Sequence, residues 1–115
     1  MNIVMYKNII SKLPQTLDPL YPSVNQLKKA NKDDIAQCTV LCTRSKIYTN
    51  GLEVIKLYKC KKFDEASLLT VRLLKQINIH RNQLYKLAKT GHTIDLKNLR
   101  YLKDLKVLFS RLSNV

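Results

Sequence analysis

Proline is confined to the first 22 residues of this 115-residue chain, where it occupies positions 14, 19 and 22. The 93 residues that follow contain no proline, and the whole chain has only two glycines, Gly51 and Gly91. Because proline breaks helices and glycine weakens them, their scarcity over so long a stretch strongly favours helix. Leu, Ile, Val and Phe supply 37 residues, which is enough for a buried core. We therefore predict an all-α protein, a compact single-domain bundle of five to seven short helices.

The prolines also divide the chain into two parts. Residues 1–22 are predicted to form a short helix over residues 3–12 and then an extended Pro-containing connector, because proline restrains the backbone of the residue before it. Residues 23–115 are predicted to form a single helical domain.

Capping residues mark where the helices of this domain should begin. The predicted start positions are, in chain order, Ser23 (with Gln26), Asp33 and Asp34, Asn50 (with Glu53), Asp64, Asn82 and Asp95. At Asp64 and Asp95 the preceding apolar residue is expected to form a hydrophobic staple with Leu68 and Leu99, respectively. Thr90 and Gly91 predict the end of a helix, because glycine readily adopts the left-handed conformation found there.

Three of these helices carry apolar faces. The helix after Asp34 is predicted to bury Ile35, Cys38, Leu41, Cys42 and Ile47. The helix after Asp64 is predicted to bury Ala66, Leu69, Leu73 and Ile77, with Leu68, Val71 and Leu74 widening the face so that it is buried on more than one side. The last helix has one apolar seam of Leu102, Leu105, Phe109 and Leu112, with Lys103, Lys106 and Arg111 off it. An exposed seam of this kind would also permit several copies to assemble.

Charge is strongly unbalanced along the chain. Lys and Arg number 21 against 8 Asp and Glu, a formal net charge of +13. No carboxylate lies between Glu65 and Asp95, although that stretch holds five Lys and Arg residues, with Tyr85 among them. Tyr101 follows Arg100. Cations without neighbouring acids attract polyanions, and cations mixed with aromatic rings are typical of single-stranded nucleic-acid binding. The predicted contact residues are Arg72, Lys75, Arg81, Tyr85, Lys86, Lys89, Lys97, Arg100 and Lys103.

The function we predict is that of a small basic non-enzymatic helical protein that binds RNA or DNA, with RNA favoured over DNA. It would act as a subunit or accessory factor of a nucleoprotein machine such as a ribosome or a polymerase. Binding by phosphate neutralisation predicts steep salt dependence and little sequence discrimination. Two alternatives stay open, because lysines on solvent-facing helices are ordinary and because a basic surface also suits an acidic protein partner.

Few residues in the sequence point to catalysis or to a cofactor. Two glycines 40 positions apart cannot build a phosphate-binding loop, which excludes glycine-based P-loop and Rossmann enzymes. Cys38, Cys42 and Cys60 with His80 or His92 would supply four zinc ligands, but their spacing matches no zinc-finger pattern. We predict no catalytic residue, no metal, no cofactor and no small-molecule substrate.

The cysteine count and the hydropathy pattern bear on location. An odd number of cysteines without framework spacing indicates free thiols in a reducing compartment, the cytoplasm or the nucleus. The chain has no run of 18 apolar residues that would span a bilayer, and its start lacks the basic region and cleavage site of a signal peptide. The expected partners are therefore nucleic acid, proteins of a large complex, or both, and not a membrane.

Residues 50–115 resemble the N-terminal helical domain of transcription elongation factor TFIIS and its relatives. The resemblance is carried by Leu73-Leu74 ahead of Thr90-Gly91, by Leu96, Leu99 and Arg100 at the matching offsets, and by the final LFSRL of residues 108–112. It implies a compact bundle that docks short disordered segments of transcription regulators and has no catalytic activity. Such docking would use an amphipathic groove near Arg100, Lys103 and the loop at 90–93, and a basic groove would prefer acidic-hydrophobic peptides.

Overall fold

Four α-helices make up most of the computed structural model, which describes residues 3–20, 34–91 and 96–113. They are α1 (Ile3–Leu17), α2 (Ile35–Lys59), α3 (Phe63–Lys89) and α4 (Leu96–Ser113), and a short 3-10 helix (Asp18–Leu20) follows α1. No strand occurs in the described ranges. The all-α prediction is therefore confirmed, but these ranges hold four helices, longer than the five to seven short ones predicted for the chain. None of the described helices is both long and apolar enough to cross a bilayer.

The four helices pack as a ring, in which each helix contacts its two neighbours in the order α1, α2, α3, α4. α1 and α2 run antiparallel. The ring of Tyr6, near the start of α1, lies 5.8 Å from that of Tyr58, near the end of α2. Leu17, at the end of α1, packs against Gly51, which precedes Tyr58 in α2 by about two helical turns.

The two long helices, α2 and α3, form an antiparallel hairpin joined by a turn at residues 60–62. Along the hairpin, Asn50 Nδ2 donates a hydrogen bond to Gln76 Oε1 at 3.0 Å. At its closed end, Phe63 packs edge-on against Tyr6, with 5.7 Å between ring centroids. These aromatic contacts hold α1 against the hairpin.

The core residues of the helices are spaced alternately three and four positions apart. The buried positions include 40, 44, 47, 51, 54 and 58 in α2, 66, 70, 73, 77, 80, 84 and 87 in α3, and 102, 105, 109 and 112 in α4. This spacing is typical of four-helix bundles, because it keeps one stripe of each helix facing its neighbours. The predicted seam of α4 is confirmed, since its four residues are at most 2% exposed. Because the bundle itself buries the seam, the predicted assembly of copies through it is wrong.

The predicted apolar stripe of α2 is displaced. Ile35 is 79% exposed and Cys42 is exposed, while Cys38 and Leu41 are only half-buried. Ile47, the last residue of the predicted stripe, is 0% exposed, and the buried stripe begins at Val40.

The predicted helix start at Asn50 is wrong, because α2 runs unbroken through this point. The side chain of Asn50 bonds across to α3 and does not cap a helix. Gly51 is the residue that α1 packs against: a Cβ there would lie 2.6 Å from Cδ2 of Leu17. Glycine therefore serves close helix packing at this position, and not a turn.

The predicted start at Asn82 is also wrong. Ile77, His80 and Leu84 are buried on one face across that point, and neither proline nor glycine interrupts the helix. Burial of one continuous stripe therefore keeps α3 helical over 27 residues.

The start of α3 lies where the sequence indicates, but its cap differs. Lys62 and not Asp64 is the N-cap, and it makes no side-chain cap hydrogen bond. Leu68, like Val71, is exposed, so Phe63 forms no staple with it and packs on the tyrosines instead. The acidic residues of the first turn lie where they interact favourably with the helix dipole.

α1 continues through Pro14 to Leu17, so the predicted connector is wrong as far as residue 20. A proline inside a helix costs about 3 kcal/mol, because a hydrogen bond is lost. Leu13, Leu17 and Leu20 are each 0% exposed, and burying one such side chain contributes about 1.5–3 kcal/mol. Packing of these leucines offsets the cost of the proline.

Two predicted boundaries are confirmed. The Asp34 side chain caps α2 by accepting a hydrogen bond from the Gln37 amide at 3.1 Å. α3 ends at Lys89, and Gly91 has a φ of 85°, as the Thr90-Gly91 pair predicts. The predicted starts at Ser23, Asp33 and Asp95 lie outside the described residues.

Substituting Gly51 tests the close packing of α1 on α2. Alanine raises helix propensity by about 1 kcal/mol, but a Cβ within 2.6 and 2.8 Å of the two Cδ atoms of fully buried Leu17 overpacks the core, which typically costs about 1–3 kcal/mol. We expect Gly51→Ala to lower the free energy of unfolding by about 1 kcal/mol in urea titrations. In a Leu17→Ala background, Gly51→Ala should raise the free energy of unfolding, because the space that the Leu17 side chain filled is empty. A loss of equal size in both backgrounds would contradict this packing.

Candidate nucleic-acid interface

α3 and α4 leave between them a groove of about 560 Å³. It is lined by Ile77, Asn78, Arg81 and Tyr85 from α3 and by Leu99, Arg100, Leu102, Lys103, Lys106 and Val107 from α4. We call this depression the α3–α4 groove. Residues four apart lie on the same side of a helix, which is why positions 77, 81 and 85 share it.

The lining of the groove is positively charged. Four of its lining residues are cationic and none is acidic. Arg81, Arg100 and Lys103 are exposed and Lys106 is half-buried. Asp104, which follows Lys103 and is four residues after Arg100, does not line the groove; it lines a neighbouring depression with Lys12, and Val107 lines both. A concavity lined by one sign of charge focuses the potential that a polyanion would experience.

The floor of the groove is apolar. Ile77 and Leu102 are buried, Leu99 is half-buried, and Val107 is 42% exposed. The groove thus joins an apolar base to a basic rim. It suits a ligand that has both a flat apolar part and negative charge.

Tyr85 is the one exposed aromatic residue among those the structure describes, with 50% of its surface accessible. It also lines a second depression, of about 670 Å³, with Asn82, Lys86, Ala88 and Lys89. Tyr85 therefore stands at the boundary between two basic concavities. Tyr101, the other ring singled out in the sequence, is half-buried against the core.

Eight of the nine predicted contact residues divide into three groups. Arg81, Tyr85, Arg100 and Lys103 meet in the α3–α4 groove, and Lys86 and Lys89 line the depression beyond Tyr85. Arg72 and Lys75 are exposed on α3 but line neither concavity. The side chain of Lys97 lies outside the described part of the chain.

Lys106 lines the groove but is not among the predicted contacts. Its position, three residues after Lys103 and next to the buried seam, is the sequence signal that places it at the groove edge.

A second basic region lies at the opposite end of the bundle. Lys7, Lys59 and Lys61 line a depression of about 480 Å³ between α1 and α2, together with Tyr6 and Tyr58. Both of these rings are buried and pack on each other. This region therefore offers cations but no exposed ring.

The zinc site considered from the sequence is not assembled. Cys38 and Cys60 lie at opposite ends of α2, 22 residues and thus about 33 Å apart. No three metal-ligating side chains cluster among the described residues. All three cysteines have free thiols, and His92 lies outside the described part of the chain.

His80 is buried in the core behind the groove. Its side chain is 0% exposed, and neither ring nitrogen has a hydrogen-bond partner. Burial and the nearby Arg44 guanidinium lower the pKa of His80 from 6.5 to about 4, although the Gln83 side chain partly opposes the shift. Arg44 itself is buried, and it donates hydrogen bonds to the carbonyl oxygens of Leu20 at 2.6 Å and Pro19 at 2.7 Å. His80 is therefore a neutral core residue and does not face the groove.

The chain matches no protein-family model, no curated protein and no solved structure. The resemblance of residues 50–115 to the TFIIS domain stays a prediction. What the groove does must be inferred from its own residues.

His80 should make folding sensitive to acid. His80 takes up a proton near pH 6.5 in the unfolded chain but only near pH 4 in the folded chain. The stability that depends on neutral His80 is therefore fully present well above pH 6.5 and is lost as the pH falls towards 4. Between pH 7.5 and 5, we expect a loss of about 2 kcal/mol in the free energy of unfolding. His80→Leu should abolish this part of the loss in urea titrations at the two pH values. Parallel losses in the two proteins would assign the acid sensitivity to other groups.

Proposed function

We propose that this chain is a non-enzymatic nucleic-acid-binding protein and that the α3–α4 groove receives the sugar–phosphate backbone of RNA or DNA. The observation that carries the proposal is the grouping of four cationic side chains around one concavity with no carboxylate in its lining. Lys86 and Lys89 extend the positive surface beyond Tyr85.

The mechanism is phosphate neutralisation with release of counterions. The two arginines can each hold a phosphate by paired hydrogen bonds, whereas the lysines act as point charges. Side chains that contact phosphates position a strand without reading its sequence. The protein would thus bind many sequences, as a subunit or accessory factor of a larger nucleoprotein machine, with RNA as the favoured ligand.

Neutralising the groove should remove most of the binding. In a variant with Arg81, Arg100, Lys103 and Lys106 all changed to Gln, we expect affinity for a mixed-sequence oligonucleotide to fall at least about tenfold, and the slope of log K against log salt to fall by about 3. Fluorescence anisotropy at several salt concentrations measures both quantities.

A matched control removes the same amount of charge elsewhere. Lys7, Lys46, Lys56 and Lys59 are exposed on α1 and α2, and changing all four to Gln also lowers the net charge by four. This control should retain most of the affinity. Equal losses in both variants would mean that net charge, and not the groove, governs binding.

The apolar floor favours a second candidate function, the docking of an acidic-hydrophobic peptide. An amphipathic segment could place apolar side chains on Leu99 and Val107 and its carboxylates against the basic rim. This is the activity that the TFIIS resemblance implies.

Val107→Ala separates the two candidates. Val107 contributes apolar surface and no charge, so its truncation should weaken an acidic-hydrophobic peptide and leave the salt-dependent binding of an oligonucleotide nearly unchanged. Titration of both ligands against the variant measures this difference. Failure of any oligonucleotide to bind at low salt, with tight peptide binding, would favour the docking function.

A further inference from the structure

We propose, as an extension of the nucleic-acid function above, that the ligand is single-stranded and that Tyr85 is the platform on which one of its bases stacks. Tyr85 is the one exposed aromatic residue in the described part of the chain, and it lies where two basic concavities meet. No other described ring combines exposure with flanking cations.

Arg81, Tyr85 and Lys89 are each four residues apart on α3. Residues at this spacing share one side of the helix, and each step advances about 6 Å along the axis. The ring is therefore bracketed by a cation on either side. A single strand can follow this row by placing its phosphates on the cations and the intervening base on the ring.

A duplex is disfavoured because its bases are already stacked. In a duplex both faces of each base are covered by neighbouring bases, and the ring could be used only after a base is flipped out. A duplex would thus contact the rim cations and leave Tyr85 unused.

The recessed position of the site also favours a single strand. The apolar base of the groove, formed by Ile77, Leu99 and Leu102, lies between the two helices. An extended strand can enter this depression. Base stacking tolerates every sequence, because each base has a π-face, and this agrees with phosphate-based binding.

The chain contains no tryptophan, so a single introduced indole reports directly on stacking. In Tyr85→Trp, we expect a single-stranded oligonucleotide of about 12 residues to quench the fluorescence strongly on binding. Leu68→Trp is the matched control, since Leu68 is exposed on the same helix and lines neither concavity. Its fluorescence should change little under the same titration.

Affinity measurements complete the test. Tyr85→Ala and Tyr85→Leu should each weaken single-strand binding about fivefold or more, because both lack a ring, whereas Tyr85→Phe should bind like the unchanged protein. A duplex of the same sequence should bind more weakly and respond to none of these substitutions. Circular dichroism of each variant verifies that the helices are intact.

The outcomes separate the inference from the proposed function. The single-strand inference is overturned if single strand and duplex bind equally and neither responds to the Tyr85 substitutions or quenches the indole of Tyr85→Trp. The groove function still stands in that case, provided that the binding of both depends on salt. If Tyr85→Leu binds as well as Tyr85→Phe, the ring is not a stacking platform. If no oligonucleotide binds at low salt, the proposed function fails, and this inference fails with it.

Discussion

The packing of α2 against α3 is the interaction on which the rest of the structure depends. Both helices bury stripes with the same alternating three- and four-residue spacing, and this fixes them as one antiparallel hairpin. Leu17 packs on Gly51 at one side of the hairpin, and this contact places α1. α4 packs through its own seam against α3 and α1, which closes the ring of helices. The groove lies alongside the contact between α3 and α4. Its position therefore depends on how α2 and α3 are aligned in the hairpin.

The sequence predicted the fold class, the caps at Asp34 and Thr90-Gly91, and the seam of α4, because each depends on local chemistry. It did not predict that α2 and α3 are continuous. Their core stripes include a charged residue, Arg44, a glycine, Gly51, and a histidine, His80. A search for apolar residues alone therefore misses the three- and four-residue spacing of the buried positions. Leu68 and Ile79, in contrast, are apolar but more than half exposed. Whether a glycine or a polar residue is buried depends on the helix that packs against it, and the local sequence does not identify that helix.

The candidate site was predictable to a similar extent. The stretch without carboxylates identified Arg81, Tyr85, Lys86 and Lys89 as neighbours, because these residues lie within a few turns of one helix. The meeting of Arg81 and Tyr85 with Arg100, Lys103 and Lys106 of α4 could not be derived, since it requires the relative rotation of two helices. The same rotation leaves Arg72 and Lys75 outside the groove and turns Tyr101 towards the core.

Charge alone does not identify the site in a chain with a net charge of +13. The depression at Lys7, Lys59 and Lys61 is also basic, and long-range attraction of a polyanion would act on both regions. They differ in what a ligand meets after it arrives. The depression between α1 and α2 has its rings packed together in the core, whereas the groove has an exposed ring and an apolar floor beside its cations. Short-range contacts of this kind retain a strand once the charges have attracted it, and they distinguish the groove from the rest of the basic surface.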